Sequence, residues 1–210
     1  MPRATRHVGA NIKDGTLVAE RREHIVRAAI EVFLEKGFNA ATTRDVCVKA
    51  GITQGTLYNY VRSKEDILYL VIDHVSSRYH EVIAEAVKDV DDPQERLVRM
   101  VRATVEAQYR FRSHILLINR EVHLLGAPAR KAIRARADDF FDEVHAIVEA
   151  GLPKQPGRTV DVSLLAQMVT FMPMMFAFRP WRMKGAPEQN IAGVTEMVLN
   201  ALGVDGKRKR

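Results

Sequence analysis

Residues 42–60, TTRDVCVKAGITQGTLYNY, admit few folds. Thr42 followed three residues later by Asp45 is a helix-start signature, because hydroxyl and carboxylate can each satisfy a backbone N–H that the first turn leaves open. The spacing predicts a short helix from Thr43 to Ala50, with Val46 and Ala50 on one face and Gly51 ending it. Gly51-Ile52-Thr53 then forms a three-residue turn into a second short helix, Gln54 to Tyr60. Two short helices across a glycine-containing turn of this length make a helix-turn-helix.

Upstream, Glu20 to Lys36 is helical. Ile25, Ala29 and Phe33 share a face, with Val26 and Ile30 beside them. Gly37 supplies the left-handed stop, and Phe38 is expected to pack back on Phe33. Downstream, Ser63 with Asp66 opens a long helix to about Lys88, which residues 91–93 (DDP) break. Further helical segments follow near 93–110, 113–125, 127–150, 160–179 and 187–202. Gly126, Gly151-Leu152-Pro153 and Gly185-Ala186-Pro187 punctuate them. No strand alternation is evident, so the fold class is all-α. Residues 1–18 read as a flexible arm carrying Arg3, Arg6 and Lys13. A three-helix domain follows at 19–64, a larger helical body at 65–204 and a basic tail at 205–210.

Charge is uneven along the chain. Of a net +6, residues 1–64 hold most, with 11 Lys and Arg against 6 Asp and Glu. A basic block on a near-neutral body suggests a polyanionic partner, although a solvated basic face gives the same count. Cys47 is the only cysteine, so no intrachain disulfide forms; mid-helix between Val46 and Val48, it reads as a buried structural thiol. The most apolar stretch, LLAQMVTFMPMMFAF at 164–178, contains Gln167, Thr170 and Pro173 and falls short of the about 20 residues that a spanning helix needs. No membrane association is expected, and a cytoplasmic protein is.

In the second short helix, Leu57 and Val61 face inward with Ile52. Gln54, Gly55, Thr56, Tyr58 and, further round, Tyr60 are left outward. A major groove admits one helix; Gln54 can pair with adenine, Gly55 lets the backbone approach, and Thr56 can meet a thymine methyl or a phosphate. Tyrosine hydroxyls suit phosphate oxygens. Lys64, in the first turn of the long helix, adds a cation to that helix's positive end. Thr43 and Arg44 open the first short helix. The same pair of helices could instead simply pack a bundle, with the tyrosines as amphipathic rim residues.

Residues 37–68, GFNAATTRDVCVKAGITQGTLYNYVRSKEDIL, resemble the DNA-binding signature of the TetR family of transcriptional regulators. Gly37-Phe38, Thr42-Thr43, Asp45-Val46, Ala50-Gly51, Gly55-Thr56-Leu57-Tyr58, Ser63-Lys64-Glu65 and Leu68 fall in register. The resemblance implies that Thr43, Arg44, Gln54, Gly55, Thr56, Tyr58, Tyr60 and Lys64 touch DNA. Tyr60-Val61 departs from a frequent His-Phe pair, and Thr53 replaces a frequent serine. It also implies that the C-terminal body binds a ligand and dimerises. Val169, Met172, Phe176, Ile191, Val194, Val198 and Leu199 could supply a four-helix homodimer seam, or fill each subunit's own core. Phe171, Met174, Met175 and Phe178 lie in a methionine-rich stretch that Pro173 should kink, and suit an apolar ligand. Arg120 and His123, beside Glu121, could meet a ligand's polar group. Residues 119–151 are loosely similar to the acyl-CoA-responsive regulators of fatty-acid and sterol breakdown, though Leu152-Pro153 departs from the usual continuation.

Catalysis finds no support. Asp142 and His145 have i, i+3 spacing but no second such pair. Zinc-cluster cysteines, nucleophile elbows and phosphate loops are missing. No catalytic residue, metal or cofactor is expected. The expected function is a homodimeric repressor, released from a pseudo-palindromic double-stranded DNA operator by a small, largely apolar effector, with acyl-CoA thioesters as a candidate class. The alternative is a helical small-molecule-binding protein with a vestigial DNA-binding motif.

Overall fold

The computed structural model describes residues 15–154 and 159–205. The arm cations Arg3, Arg6 and Lys13 and tail residues 206–210 lie outside them. Among the described residues the chain is helical, without strands. The helices are α1 (Gly15–Lys36), α2 (Thr43–Ala50), α3 (Gln54–Tyr58), α4 (Lys64–Val87), α5 (Pro93–Arg110), α6 (Arg112–Glu121), α7 (Ala127–Gly151), α8 (Val162–Phe171), α9 (Met175–Phe178) and α10 (Pro187–Leu202), with short 3-10 turns at Val122–Leu124, Met172–Met174 and Pro180–Arg182. Two expectations need correction. Residues 15–18 belong to α1 rather than to an arm, and the segment expected as one helix over 160–179 is broken where Pro173 removes a backbone donor.

The residues form two compact units that are not consecutive in sequence. One takes the chain up to Ser77 together with Leu116–Arg136; the other takes Arg78–Ile115 and the chain from Ala137 onward. The boundary expected at residue 64 falls inside the first unit.

In the first unit α1 buries Ile25, Val26, Ala29 and Phe33. Gly37 adopts a φ of 76°, open only to residues that tolerate the left-handed region. The turn lets Phe38 return edge-on to Phe33 at 5.2 Å between ring centres. α2 begins with a complete capping box: Asp45 N donates to Thr42 Oγ1 at 3.1 Å and Thr42 N donates to Asp45 Oδ2 at 2.8 Å. Lys36 Nζ reaches the other carboxylate oxygen at 2.7 Å, tying the end of α1 to the start of α2. α2 ends in a Schellman motif. Gly51, at φ 63°, donates to Val48 O, and Ile52 N donates to Cys47 O at 3.0 Å. Cys47 is buried beside this turn, and burial pushes its thiol pKa up, as a structural thiol requires. His24 Nε2 bonds to Ala50 O at 2.8 Å, fastening the turn to α1. Leu117, Leu125 and Ala129 join the same core, and Arg136 pairs with Asp73 of α4.

In the second unit α5 is the central helix. It contacts α8, α9 and α10, and nine of its residues are buried, among them Thr104 and Gln108. Its N-terminus crosses α7 closely: a methyl on Gly151 would sit 2.5 Å from Pro93 O and 2.6 Å from Leu97 Cβ. Glycine is required there by the neighbouring backbone, not by its own φ.

The capping box makes a pH prediction. Hydrogen bonds from Lys36 and Thr42 lower the Asp45 pKa from 3.8 to about 2. A depressed carboxylate contributes stability above its unfolded value, and that contribution is lost as pH falls through the folded value. Thermal midpoints measured between pH 5 and pH 2 should therefore fall less steeply for Asp45→Asn than for the wild type. Parallel curves would mean that the carboxylate does not hold α2.

Candidate nucleic-acid interface

α3 is a five-residue helix, too short to be stable alone, and is held by what surrounds it. Thr53 caps it, its Oγ1 accepting from Thr56 N at 3.1 Å and lying 3.0 Å from Thr56 Oγ1. Leu57 is fully buried and Val61 nearly so, as their spacing required. Tyr60 and Val61 N–H groups both bond to Leu57 O, closing the C-terminal turn. The opposite face is open: Gln54, Gly55 and Asn59 are exposed, Tyr58 is 47% exposed, and Thr56 is half-buried. Arg44, at the start of α2, is exposed and Thr43 is half-buried.

Gly55 is the informative residue. A Cβ there would meet only Thr53 Oγ1, at 3.8 Å, an ordinary contact. No positive φ demands glycine either. Inside a helix glycine costs about 1 kcal/mol relative to alanine. Nothing in the surroundings of Gly55 within the described chain requires glycine there.

Lys64 is held in place beside this face. Its ammonium lies 4.3 Å above the Phe38 ring and donates to Asn39 O at 3.3 Å. It is the first residue of a 24-residue helix, where the dipole favours anions. Ser63 Oγ accepts from Asp66 N at 3.1 Å, and the Asp66 carboxylate accepts from Arg62 N at 3.1 Å.

One expected contact is misplaced. Tyr60 is 5% exposed and belongs to the core of the first unit. Tyr60 lies three residues beyond the buried Leu57, near the same face, and its N–H bonds to Leu57 O, which carries the ring inward. Arg22 of α1 fixes this turn by donating to Tyr60 O at 3.2 Å. Sequence reasoning missed Arg22, Phe38 and Asn39 as positioning residues; no local spacing links α1 to residue 60, or Asn39 to Lys64. It also missed Asn59 and Arg62, exposed next to the face and visible in sequence only as polar residues flanking Tyr60 and Val61.

The six expected ligand residues are divided between the two units. Arg120 and His123 belong to the first unit and are exposed; Glu121 is the buried member of that run. Phe171, Met174, Met175 and Phe178 belong to the second unit, where Phe171 is 68% exposed. Phe178 is exposed as well, so neither ring is enclosed within a single chain. A groove of about 730 Å³ in the second unit lies instead between Arg102 and Glu106 of α5 and Ile191, Thr195 and Leu199 of α10. Among the described residues no group of three or more His, Cys, Asp or Glu side chains is arranged to hold a metal, and no helix is long and apolar enough to cross a membrane.

A neutral, glycine-bearing helix laid open on a helix-turn-helix, with cations at its edges, defines a DNA-binding protein of the helix-turn-helix class. Comparison with known proteins gives the family. Residues 25–69 match the family of bacterial regulatory proteins, tetR family, and residues 90–201 match the tetracyclin repressor-like C-terminal domain. The chain is 32% identical over 177 residues to the transcriptional regulator HbdR of Aromatoleum sp. (strain CIB), covering 81% of this chain and 74% of that one. It is 30% identical over 150 residues to the transcriptional repressor KstR2 of Rhodococcus jostii (strain RHA1), covering 69% and 72%. The structure of AibR with isovaleryl coenzyme A and operator DNA shares the fold, with a TM-score of 0.69 at 22% identity over 84% of this chain and 97% of that one. The chain belongs to the TetR family of transcriptional regulators, and is a regulator rather than an enzyme.

Gly55→Ala separates folding from recognition. Chemical denaturation should show stability unchanged or raised by up to about 1 kcal/mol, while affinity for a selected duplex falls at least tenfold. Undiminished duplex affinity would remove Gly55 from the interface.

Proposed function

We propose that this protein is a cytoplasmic homodimeric repressor. It docks Thr43, Arg44, Gln54, Gly55, Thr56, Tyr58 and Lys64 in the major groove of a pseudo-palindromic operator and leaves it when a small, largely apolar effector binds the C-terminal body. The observation that carries the DNA part is the open space over Gly55 on an exposed face. Gln54 reads a base edge, Tyr58 and Thr43 bond to phosphates, and Lys64 neutralises one. Tyr60 contributes through its backbone, as the fixed end of the turn.

The homodimer reading rests on a different set of residues from those expected. Val169, Phe176, Val194, Val198 and Leu199 are buried within one chain's own core, and Met172 and Ile191 are half-buried against it. Left outward on α8, α10 and the intervening segment are Leu164 at 63%, Phe171 at 68%, Trp181 at 74% and Met197 at 53% exposed. Leu164 and Phe171 are seven residues apart and share a helix face. Exposed apolar groups of this size suit a second copy of the chain. A Phe171→Glu chain should sediment as a monomer at concentrations where the wild type is dimeric; an unchanged dimer would place the seam elsewhere.

For the effector, AibR, which shares the fold, was solved with isovaleryl coenzyme A and operator DNA. The effector class is the acyl-CoA thioesters. α4 contributes residues to both units, which makes it the natural link between effector and reading face. Driving the population from bound to free takes an effector preference of roughly 3–5 kcal/mol between the two states.

The test is selection of bound duplexes from a random pool. The expected product is an inverted repeat whose half-sites lie about 34–36 Å apart, or a multiple of that distance. A pool that stays random would contradict the reading.

A further inference from the structure

Two buried side-chain oxygens in the second unit have no hydrogen-bond partner among the described residues. Thr104 and Gln108 lie one turn apart on α5, at 0% and 5% exposure. The Gln108 amide nitrogen donates to Tyr79 Oη at 3.2 Å and to Thr170 O at 3.1 Å. A backbone carbonyl only accepts, so that atom is the nitrogen and both of its hydrogens are taken. Oε1 is left on the other side. Among the described residues it accepts no hydrogen bond, and Thr104 Oγ1 has no partner either. Thr104 is out of step with its own unit: Thr195 Oγ1 donates to Ile191 O at 2.8 Å and Thr170 Oγ1 to Gln167 O at 3.1 Å. Bonding back to the preceding turn is what a helical threonine ordinarily does. Tyr79 Oη accepts from Gln108 and so keeps its own hydrogen to give. Burial raises the Tyr79 pKa well above that of an ordinary phenol, so the hydrogen stays on. Phe140 and Phe111 meet the Tyr79 ring edge-on, at 5.7 and 6.4 Å.

Folded interiors leave few polar atoms unpaired, because each one buried without a partner is costly. Two unpaired oxygens beside a phenol that still has its hydrogen to give, offering one acceptor and two hydroxyls in an aromatic setting, describe a site rather than a defect. We infer that Thr104, Gln108 and Tyr79 are the recognition point for the effector, and that the effector carries there a neutral group which both donates and accepts a hydrogen bond: an alcohol or an amide N–H on an apolar body. This rests on the small-molecule reading above and narrows it. A ketone or thioester oxygen alone takes a hydrogen from Tyr79 or Thr104 but leaves Gln108 Oε1 unpaired. A carboxylate brings a charge among neutral groups and turns lone pairs toward Oε1. A hydroxyl answers both demands, so an acyl thioester fits if its chain is hydroxylated.

The probes are benzyl alcohol, benzamide, toluene and benzoate, titrated calorimetrically into the full chain. The alcohol and the amide should each bind at least about fivefold more tightly than toluene or benzoate, the worth of one net hydrogen bond. Whichever of the two binds better separates the hydroxyl source from the amide source. Thr104→Val should raise the thermal midpoint of the ligand-free protein and shrink the preference, and Tyr79→Phe should shrink it with the fold retained. Four equal affinities, no binding by any probe, or a lowered Thr104→Val midpoint with the preference intact would overturn the inference; buried water would then be the partner. Duplex binding by the same preparation is measured separately. If it persists while the probes fail, only this inference falls; if wild-type duplex binding is absent, the regulator reading falls.

Discussion

The structure depends on the burial of one leucine. Five residues cannot hold a helix in water, because the first hydrogen-bonded turn costs more conformational freedom than it returns. α3 exists because Leu57 is inserted completely into the core formed with α1, α2 and α4, and because the backbone on either side is fixed. On one side are the Schellman turn at Gly51 and the Thr53 cap; on the other, Tyr60 N and Val61 N bond to Leu57 O and Arg22 grips Tyr60 O. With so much of the helix spent on anchoring, the outward face can be made of residues chosen for something else. Gln54, Gly55 and Tyr58 contribute little to folding, and Gly55 opposes it.

The second unit follows the opposite logic. α5 is enclosed on most sides, and its interior positions are nearly all apolar. Against that background Thr104 and Gln108 stand out chemically. The outward apolar residues of α8 and α10 form a third kind of surface, neither core nor solvated. The chain thus carries three departures from a self-sufficient fold: a face too neutral and too bare, an interior too polar, and an exterior too apolar. Each is what the proposed partners, a duplex, an effector and a second copy, would account for.

Most of the fold was legible because its signals are local. Thr42 with Asp45, Gly37 and Gly51 with their left-handed backbones, and Asp92-Pro93 at the start of α5 act within a few residues of themselves, and all stand where the pattern put them. Helix periodicity placed Ile25, Ala29 and Phe33 inside for the same reason. What failed was rotation at helix ends and between alternatives. Tyr60 was expected outward, but it follows the buried Leu57 by three residues, about 300° of helical turn, which brings its side chain back near the inward face. Val169, Phe176 and Val198 were candidates for a seam because an apolar residue looks the same in sequence whether its neighbour is its own chain or another. Phe171 and Trp181 are the outward ones, and only the packing of α8 and α10 on α5 distinguishes the two sets. Gln108 and Thr104 gave no signal at all, since isolated polar residues in an amphipathic helix ordinarily face water.

The central claim is that the α3 face grips a polyanion through a few placed groups. The slope of log affinity against log salt concentration, on a selected duplex, measures this directly. Each neutralised phosphate adds about 0.9 to the steepness, so the wild-type dimer should show a steep negative slope, and Lys64→Ala should flatten it by about one per reading face engaged. A shallow slope that Lys64→Ala leaves unchanged would contradict the account.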